Sequence, residues 1–161
     1  LASLIILVGA PSVWLMGYLS DRIGRTKTIL ICSIASLSAQ FIFGFMHGKS
    51  LIITVAIGIW IGFWVIADSA SFSSGLTEMV QPKIRATSLG IQNSAGFLIT
   101  VISPAVFGQV LEYFNNVDNV SYATNWILPF STLGLGALLA PLAAILLRKT
   151  KQSQLMCNGK K

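Results

Sequence analysis

Long apolar runs alternate with short polar segments along the whole chain. Five of the runs are roughly 20 residues long or longer, the length that an α-helix needs to cross about 30 Å of hydrocarbon. The pattern therefore predicts an all-α fold, a polytopic transmembrane helical bundle with about five spans in residues 1–147. The predicted spans are residues 1–19, 29–47, 50–77, 87–113 and 125–147, and they are followed by a basic tail at 148–161.

The basic residues are distributed unevenly between these spans. The chain has 11 Lys and Arg against 5 Asp and Glu, which gives a formal net charge of +6. Most of the bases follow the first, third and fifth spans, whereas the turn after the second span carries Lys49 alone. By the positive-inside rule, the basic connections face the cytoplasm. We therefore expect a multi-pass protein of the plasma membrane with a cytoplasmic C-terminus.

Composition and motifs argue against several classes of function. Hydrophobic residues make up 54% of the chain and charged residues only 10%, so the lipid bilayer is the expected environment. No nucleic-acid partner is expected, because the bases lie in short segments and no soluble domain presents them. The chain has no metal-ligand cluster, phosphate-binding loop or nucleophile–base motif, and the spans lack the paired acids of an intramembrane enzyme. We predict no enzyme activity, no cofactor and no metal.

Charges crowd into the stretch GYLSDRIGRTKT at residues 17–28, directly after the first span. Gly17 permits the close approach of a neighbouring helix, and Gly24 permits a tight turn. Asp21 suits the exposed N–H groups at a nearby helix N-terminus. One interpretation is that these charges are solvated determinants of topology. The other is that they form a specific network, since topology alone requires neither the glycines nor the acid.

The same stretch has the spacing G-x-L-[AS]-D-R-x-G-R, whose fixed glycines and charges are Gly17, Asp21, Arg22, Gly24 and Arg25. This spacing closely resembles the signature loop of the major facilitator superfamily of transporters, which joins the second and third helices of each six-helix half. It departs from the family pattern at Thr26, where a base is usual, and at Ile29, where leucine is usual. Both departures leave the charges intact.

The resemblance implies a second loop that completes the network. In the family an E…P…R loop adjoins the signature loop, and here Glu78 and Arg85 stand at the ends of such a loop. The resemblance implies that Asp21 engages Arg85 and the N-terminus of the fourth span. It also implies that either Arg25 or Arg22 faces Glu78. Such a network is a conformational latch that holds the cytoplasmic gate in the outward-open state.

The resemblance also implies a position within a twelve-helix fold. The signature loop follows the second helix of a half, and the tail ends without another span, which favours helices eight to twelve of the C-terminal half. The alternative is an N-terminal half that leads into a central linker, because the two halves are related repeats. The chain begins at Leu1 with neither an initiator Met nor a basic leader. We therefore expect a fragment whose partner is the missing N-terminal half of the same chain.

One acid, Asp68, lies well inside a predicted span. An ionisable residue in the bilayer is energetically costly and is a functional-site hypothesis by default. Together with Gln92 and Asn93 of the fourth span, Asp68 is a candidate substrate or proton site. Its alternative role is helix packing, through hydrogen bonds to hydroxyls such as those of Ser69 or Ser71. A loose similarity to superfamily members labelled nitrate or nitrite transporters gives a substrate guess, although these spans contain no Arg to hold an anion.

These features predict a secondary active transporter that moves a small solute by alternating access. The expected partners are a small-molecule substrate and a coupling ion, which we expect to be a proton. The rival interpretation is a non-transporting polytopic membrane protein, such as a sensor or scaffold, that uses the basic loops for topology. A parental sequence with about seven further spans favours the transporter, and a gene start close upstream favours the rival.

Overall fold

The computed structural model describes residues 2–115 and 125–159. These residues contain helices and no strand, so the predicted all-α fold is confirmed. The α-helices among them are α1 (Ala2–Ile23), α2 (Arg25–Phe43), α3 (Leu51–Ala67), α4 (Ser69–Met79), α5 (Arg85–Asn115), α6 (Ile127–Ala137) and α7 (Leu139–Lys149). Three 3-10 helices accompany them in the described ranges, at Gly44–Met46, Pro82–Ile84 and Gln152–Gly159. Residue 1 of the predicted first span and residues 160–161 of the predicted tail lie outside the described residues.

Two of the predicted spans each consist of two helices. Asp68 separates α3 from α4, and Leu138 separates α6 from α7. Hydropathy does not reveal these breaks, because the apolar character continues through them. In the described ranges, four helical stretches are long and apolar enough to cross a membrane, namely Arg25–Met46, Leu51–Met79, Pro82–Asn115 and Ile127–Lys149. Helix α1 adds a further 22 helical residues, and the placement of all five spans in a bilayer stays a prediction.

Helix α2 is the centre of the bundle. It packs against α1, α3, α4, α6 and α7, while α1 packs mainly along α3. Helix α5 packs mainly against α4 and α6, and most of its surface is uncovered. Among its large apolar side chains, Phe97 is 71% exposed and Val101 is 72% exposed. Helix α5 therefore presents a broad apolar surface that no described helix covers.

The interior of the bundle contains many small and hydroxyl-bearing side chains, while large apolar side chains cover much of its outside. The buried hydroxyl residues are Ser12, Ser20, Thr26, Thr28, Ser33, Ser71 and Ser153. Small residues allow helix backbones to approach closely, which matters in a bilayer because lipid tails already solvate apolar side chains. Some hydroxyls bond to their own helix: Ser12 Oγ donates to Gly9 O at 2.7 Å. Small polar residues inside and large apolar residues outside are the reverse of a water-soluble protein, and they suit a bundle that is surrounded by lipid.

A glycine permits the closest approach between the end of α2 and the start of α6. A methyl group added at Gly44 would lie 3.0 Å from Ile127 Cα and 3.3 Å from Trp126 O. Both are backbone atoms, which cannot rotate away as a side chain can. The contact between these two helix ends therefore depends on the absence of a side chain at residue 44.

We expect Gly44→Ala to lower the free energy of unfolding by about 1–3 kcal/mol, because the added methyl group overpacks this contact. Gly136→Ala on α6 is the matched control, since no described atom lies within 4 Å of a methyl group added there. Thermal unfolding of the full-length protein in detergent measures both variants. Equal melting temperatures for the two variants would contradict the close approach at Gly44.

Candidate functional site

The chain reverses between α1 and α2 in one tight turn at Gly24. This residue has φ 104° and ψ 148°, a conformation that residues with side chains rarely adopt. Its N–H donates to Ser20 O at 3.1 Å, and its carbonyl accepts from the N–H of Thr28 at 3.2 Å. Helix α1 thus ends and α2 begins within two residues. The turn brings Asp21, near the end of α1, within reach of Arg25, the first residue of α2.

The Arg25 guanidinium is the centre of a group of polar side chains at this end of the bundle. Its side chain is only 10% exposed, and Nη1 lies 2.6 Å from Asp21 Oδ1. Nη1 also donates to Ser20 Oγ at 3.2 Å. Nη2 donates to Glu78 Oε1 at 2.7 Å, and Nε donates to Glu78 Oε2 at 3.5 Å. These four residues, which we call the charge cluster, connect the α1–α2 turn to the last turn of α4.

Two properties suit the charge cluster to hold helices together. The planar guanidinium offers donors in a fixed fork, which matches the two oxygens of the Glu78 carboxylate. Burial of the Arg25 side chain excludes water from these bonds, so the attraction is stronger than at a fully exposed pair. Asp21 is 62% exposed, so water reaches much of its side chain. The cluster is therefore a reversible electrostatic connection between two parts of the bundle.

Glu78 also accepts a hydrogen bond from a part of the chain that the sequence did not assign to the site. The backbone N–H of Cys157 donates to Glu78 Oε2 at 2.8 Å. The segment Gln152–Gly159, which we call the distal segment, therefore reaches the charge cluster. Sequence reasoning treated this segment only as part of a basic tail. The apolar pair Leu155 and Met156 within that polar stretch was the one signal that it packs against the bundle.

The structure differs from the predicted network at Asp21 and Arg85. Arg85 is the first residue of α5, its side chain is exposed, and it makes no ion pair with a described residue. Asp21 instead pairs with Arg25. The physical reason is the Gly24 turn, which starts α2 immediately after α1 and so supplies a guanidinium one helical turn away.

Two further members of the signature motif lie beside the charge cluster. The exposed Arg22 side chain stacks over the Tyr18 ring, with Cζ 4.6 Å from the ring centroid. Arg22 is thus turned to Tyr18, and Arg25 is the candidate that binds Glu78. Gly17 faces α4, where an added methyl group would lie 3.6 Å from the Ala70 Cβ. Its contribution is close packing between α1 and α4.

Asp68, the candidate proton or substrate residue, lies at the break between α3 and α4 and is half-buried. Trp64 and Ser71 lie one helical turn before and one turn after it. Their polar atoms Nε1 and Oγ are buried and have no hydrogen-bond partner among the described residues. Cys32 of α2 is fully buried and lies within electrostatic range of the Asp68 carboxylate. The break therefore places an acid among polar groups inside an otherwise apolar region.

Hydrogen bonds do not connect the remaining candidate residues to Asp68. Gln92 and Asn93 lie in the first half of α5, where Gln92 is half-buried and Asn93 is exposed. Neither side chain makes a hydrogen bond within the described ranges. In the same ranges, no group of three or more His, Cys, Asp or Glu side chains is placed to hold a metal ion. Any role of Gln92 and Asn93 in binding a solute stays a prediction.

We expect Arg25→Gln to lower the free energy of unfolding by about 3 kcal/mol, because the change leaves two carboxylates without their cationic partner. Arg22→Gln is the matched control, since Arg22 is exposed and loses only a stacking contact worth about 0.5–1 kcal/mol. Both are measured by thermal unfolding of the full-length protein. Similar losses in the two variants would show that Arg25 does not hold the helices together.

Comparisons with known proteins agree with the signature motif and the apolar helices. A family model described as Major Facilitator Superfamily matches residues 1–159. Two similar proteins of Mycobacterium tuberculosis, from strains CDC 1551 / Oshkosh and H37Rv, are each named an uncharacterized MFS-type transporter. Each is 24% identical over 123 residues, which cover 76% of this chain and 26% of the relative. No solved structure matches the chain significantly. The chain belongs to the Major Facilitator Superfamily.

Proposed function

We propose that the chain is part of a secondary active transporter that moves a small solute across a membrane by alternating access. Membership of the superfamily supports a transport role, and the matched relatives are named transporters. The observation that carries the proposal is the charge cluster, in which Arg25 joins the α1–α2 turn to Glu78 of α4. A transporter that alternates between two states needs such reversible connections at the end of the bundle that opens and closes.

In this proposal the charge cluster is a conformational latch on the cytoplasmic side. The bases at this end, among them Arg22, Lys27 and Lys83, support a cytoplasmic position for it by the positive-inside rule. With the cluster formed, the ends of α1, α2 and α4 are held together and the transporter is outward-open. The separation of Arg25 from Glu78 accompanies the change to the inward-open state.

The proposal also requires a second half-bundle as the partner of the described helices. The chain spans about a quarter of the length of the curated relatives it matches. Helix α5 has the uncovered apolar surface that such a partner needs, since its residues have few neighbours in the described bundle. We assign the chain to the C-terminal half of the protein, with α5 facing the N-terminal half across the solute pathway. The solute then binds between the halves.

Asp68 is the proposed proton site. It is an acid at a helix break, and Trp64 Nε1 and Ser71 Oγ are buried nearby without described partners. Neither donor bonds to Asp68 in this structure, but either one, once turned towards it, would stabilise the carboxylate when the proton leaves. The junction of α3 and α4 at Asp68 is a local irregularity within one long apolar helical stretch.

We expect Asp21→Asn to slow solute flux by about two- to fivefold and to shift the population towards the inward-open state. The reason is the loss of one partly exposed ion pair, which contributes up to about 1 kcal/mol to the closed cytoplasmic end. Flux is measured with the full-length protein in proteoliposomes, and the population by spin-label distances between the two halves. Glu112→Gln, an exposed acid near the end of α5, is the control. Normal turnover in Asp21→Asn would rule out the latch.

We expect Asp68→Asn to abolish the dependence of flux on the proton gradient, because the amide cannot carry a proton. Asp68→Glu keeps a carboxyl group and should retain a measurable pH dependence. Both variants are compared in proteoliposomes with an imposed pH gradient, after thermal unfolding has shown that they fold. Undiminished flux with unchanged pH dependence in Asp68→Asn would remove this residue as the proton site.

A further inference from the structure

The distal segment is fixed at its start to the end of α7. Ser153 is 1% exposed, and its hydroxyl donates to Thr150 O at 2.8 Å and lies 3.2 Å from Arg148 O. Thr150 itself has an extended backbone, with ψ 154°. The chain therefore leaves α7, turns once and runs back over the basic end of the bundle. Its main packing partner there is α4.

Met156 anchors the distal segment to α4. The side chain is 1% exposed, whereas that of its neighbour Leu155 is 58% exposed. The terminal methyl group of Met156 occupies the space that a side chain at Gly75 would need. A methyl group added at Gly75 would also lie 3.9 Å from the Cβ of Arg25. Met156 therefore packs directly beside the charge cluster.

Cys157 connects the distal segment to the charge cluster. Its N–H donates to Glu78 Oε2 at 2.8 Å, and its Sγ lies 3.4 Å from Asp21 O and 3.8 Å from Ser20 O. Its φ is 48°, a left-handed conformation that costs energy for a residue with a side chain. A strained backbone persists only where surrounding contacts hold it, and here those contacts belong to the charge cluster and to the Met156 anchor.

We propose that the distal segment is a clasp that holds the charge cluster closed and so restrains the opening of the cytoplasmic end. Glu78 is shared, because one carboxylate binds both the Arg25 guanidinium and the Cys157 N–H. A movement of α4 that separates Glu78 from Arg25 must therefore also break the bond to Cys157 or carry the distal segment along. The effect on transport rests on the proposed function, whereas the docking of the segment does not.

The docking is tested by the rate at which a maleimide alkylates Cys157 in the detergent-solubilised full-length protein. Met156→Ser removes the apolar anchor, and we expect it to accelerate alkylation by about threefold or more, because undocking fully exposes a thiol that is half-buried in the docked segment. Leu155→Ser makes the same change at the exposed neighbour and should leave the rate within about twofold. Cys157→Ser gives the background from other thiols, including the buried Cys32.

A second variant guards against a folding defect in Met156→Ser. Gly75→Ala places a methyl group in the space of the Met156 terminus and at the same time favours the α4 helix, so it should also accelerate alkylation. Unchanged alkylation in both variants would overturn the clasp, as would equal acceleration in Leu155→Ser.

The coupling to the charge cluster is tested by combining variants. Glu78→Gln weakens the acceptor of the Cys157 N–H and should also accelerate alkylation. If the segment and the cluster act as one unit, the double variant Met156→Ser, Glu78→Gln is no faster than the faster single variant, since contacts in one network are not additive. If the acceleration in the double variant equals the product of the two single accelerations, the segment and the cluster act independently, and the clasp is overturned.

Transport provides the last readout. Met156→Ser should populate the inward-open state more than Leu155→Ser does, and equal populations would overturn the restraint on opening. If the wild-type protein moves no solute in any assay, the proposed function fails, while the alkylation rates still decide whether the segment docks. The two proposals can therefore fail separately.

Discussion

Burial of the Arg25 charge is the constraint on which the basic end of the bundle depends. A guanidinium that is 10% exposed has lost most of its water, and it is tolerable only with partners that replace those hydrogen bonds. Asp21 comes from the same turn of chain, but Glu78 comes from α4, more than fifty residues later. The charge therefore fixes the distance between the α1–α2 turn and α4. Glu78 in turn holds Cys157, so the distal segment depends on the same buried charge.

The rest of the bundle follows a different rule, in which packing density replaces the hydrophobic effect. Lipid solvates large apolar side chains, so their burial gives little advantage, and helices gain by close contact between small residues. Gly44 at the end of α2, which faces the start of α6, and Ser71 inside α4 are examples of positions where a small residue permits this contact. Helix α5 packs mainly against α4 and α6, and the rest of its surface makes no such contact with the described helices. In the proposed function its surface is completed by the other half of the protein.

The sequence predicted the helical fold well because hydropathy reports burial in lipid directly, and the motif indicated which charges matter. The sequence left Arg22 and Arg25 as alternative partners of Glu78, because the two residues are only three positions apart and carry the same charge. The choice depends on the φ of Gly24, which ends α1 after Arg22 and makes Arg25 the first residue of α2. The break at Asp68 was also hidden, because one acid within an apolar run does not indicate where a helix is interrupted.

Helix α4 connects the two sites of the proposed transporter. It has 11 residues, begins directly after Asp68 and ends one residue after Glu78. A helix of this length is rigid and spans about 16 Å. Under the proposed function, a change of charge at Asp68 that moves the start of α4 must also move Glu78 relative to Arg25, because the helix between them has no internal break. In the clasp proposed above, the distal segment opposes that movement from the other end of α4. Protonation inside the bundle and opening at its basic end are then two effects of one short helix changing position.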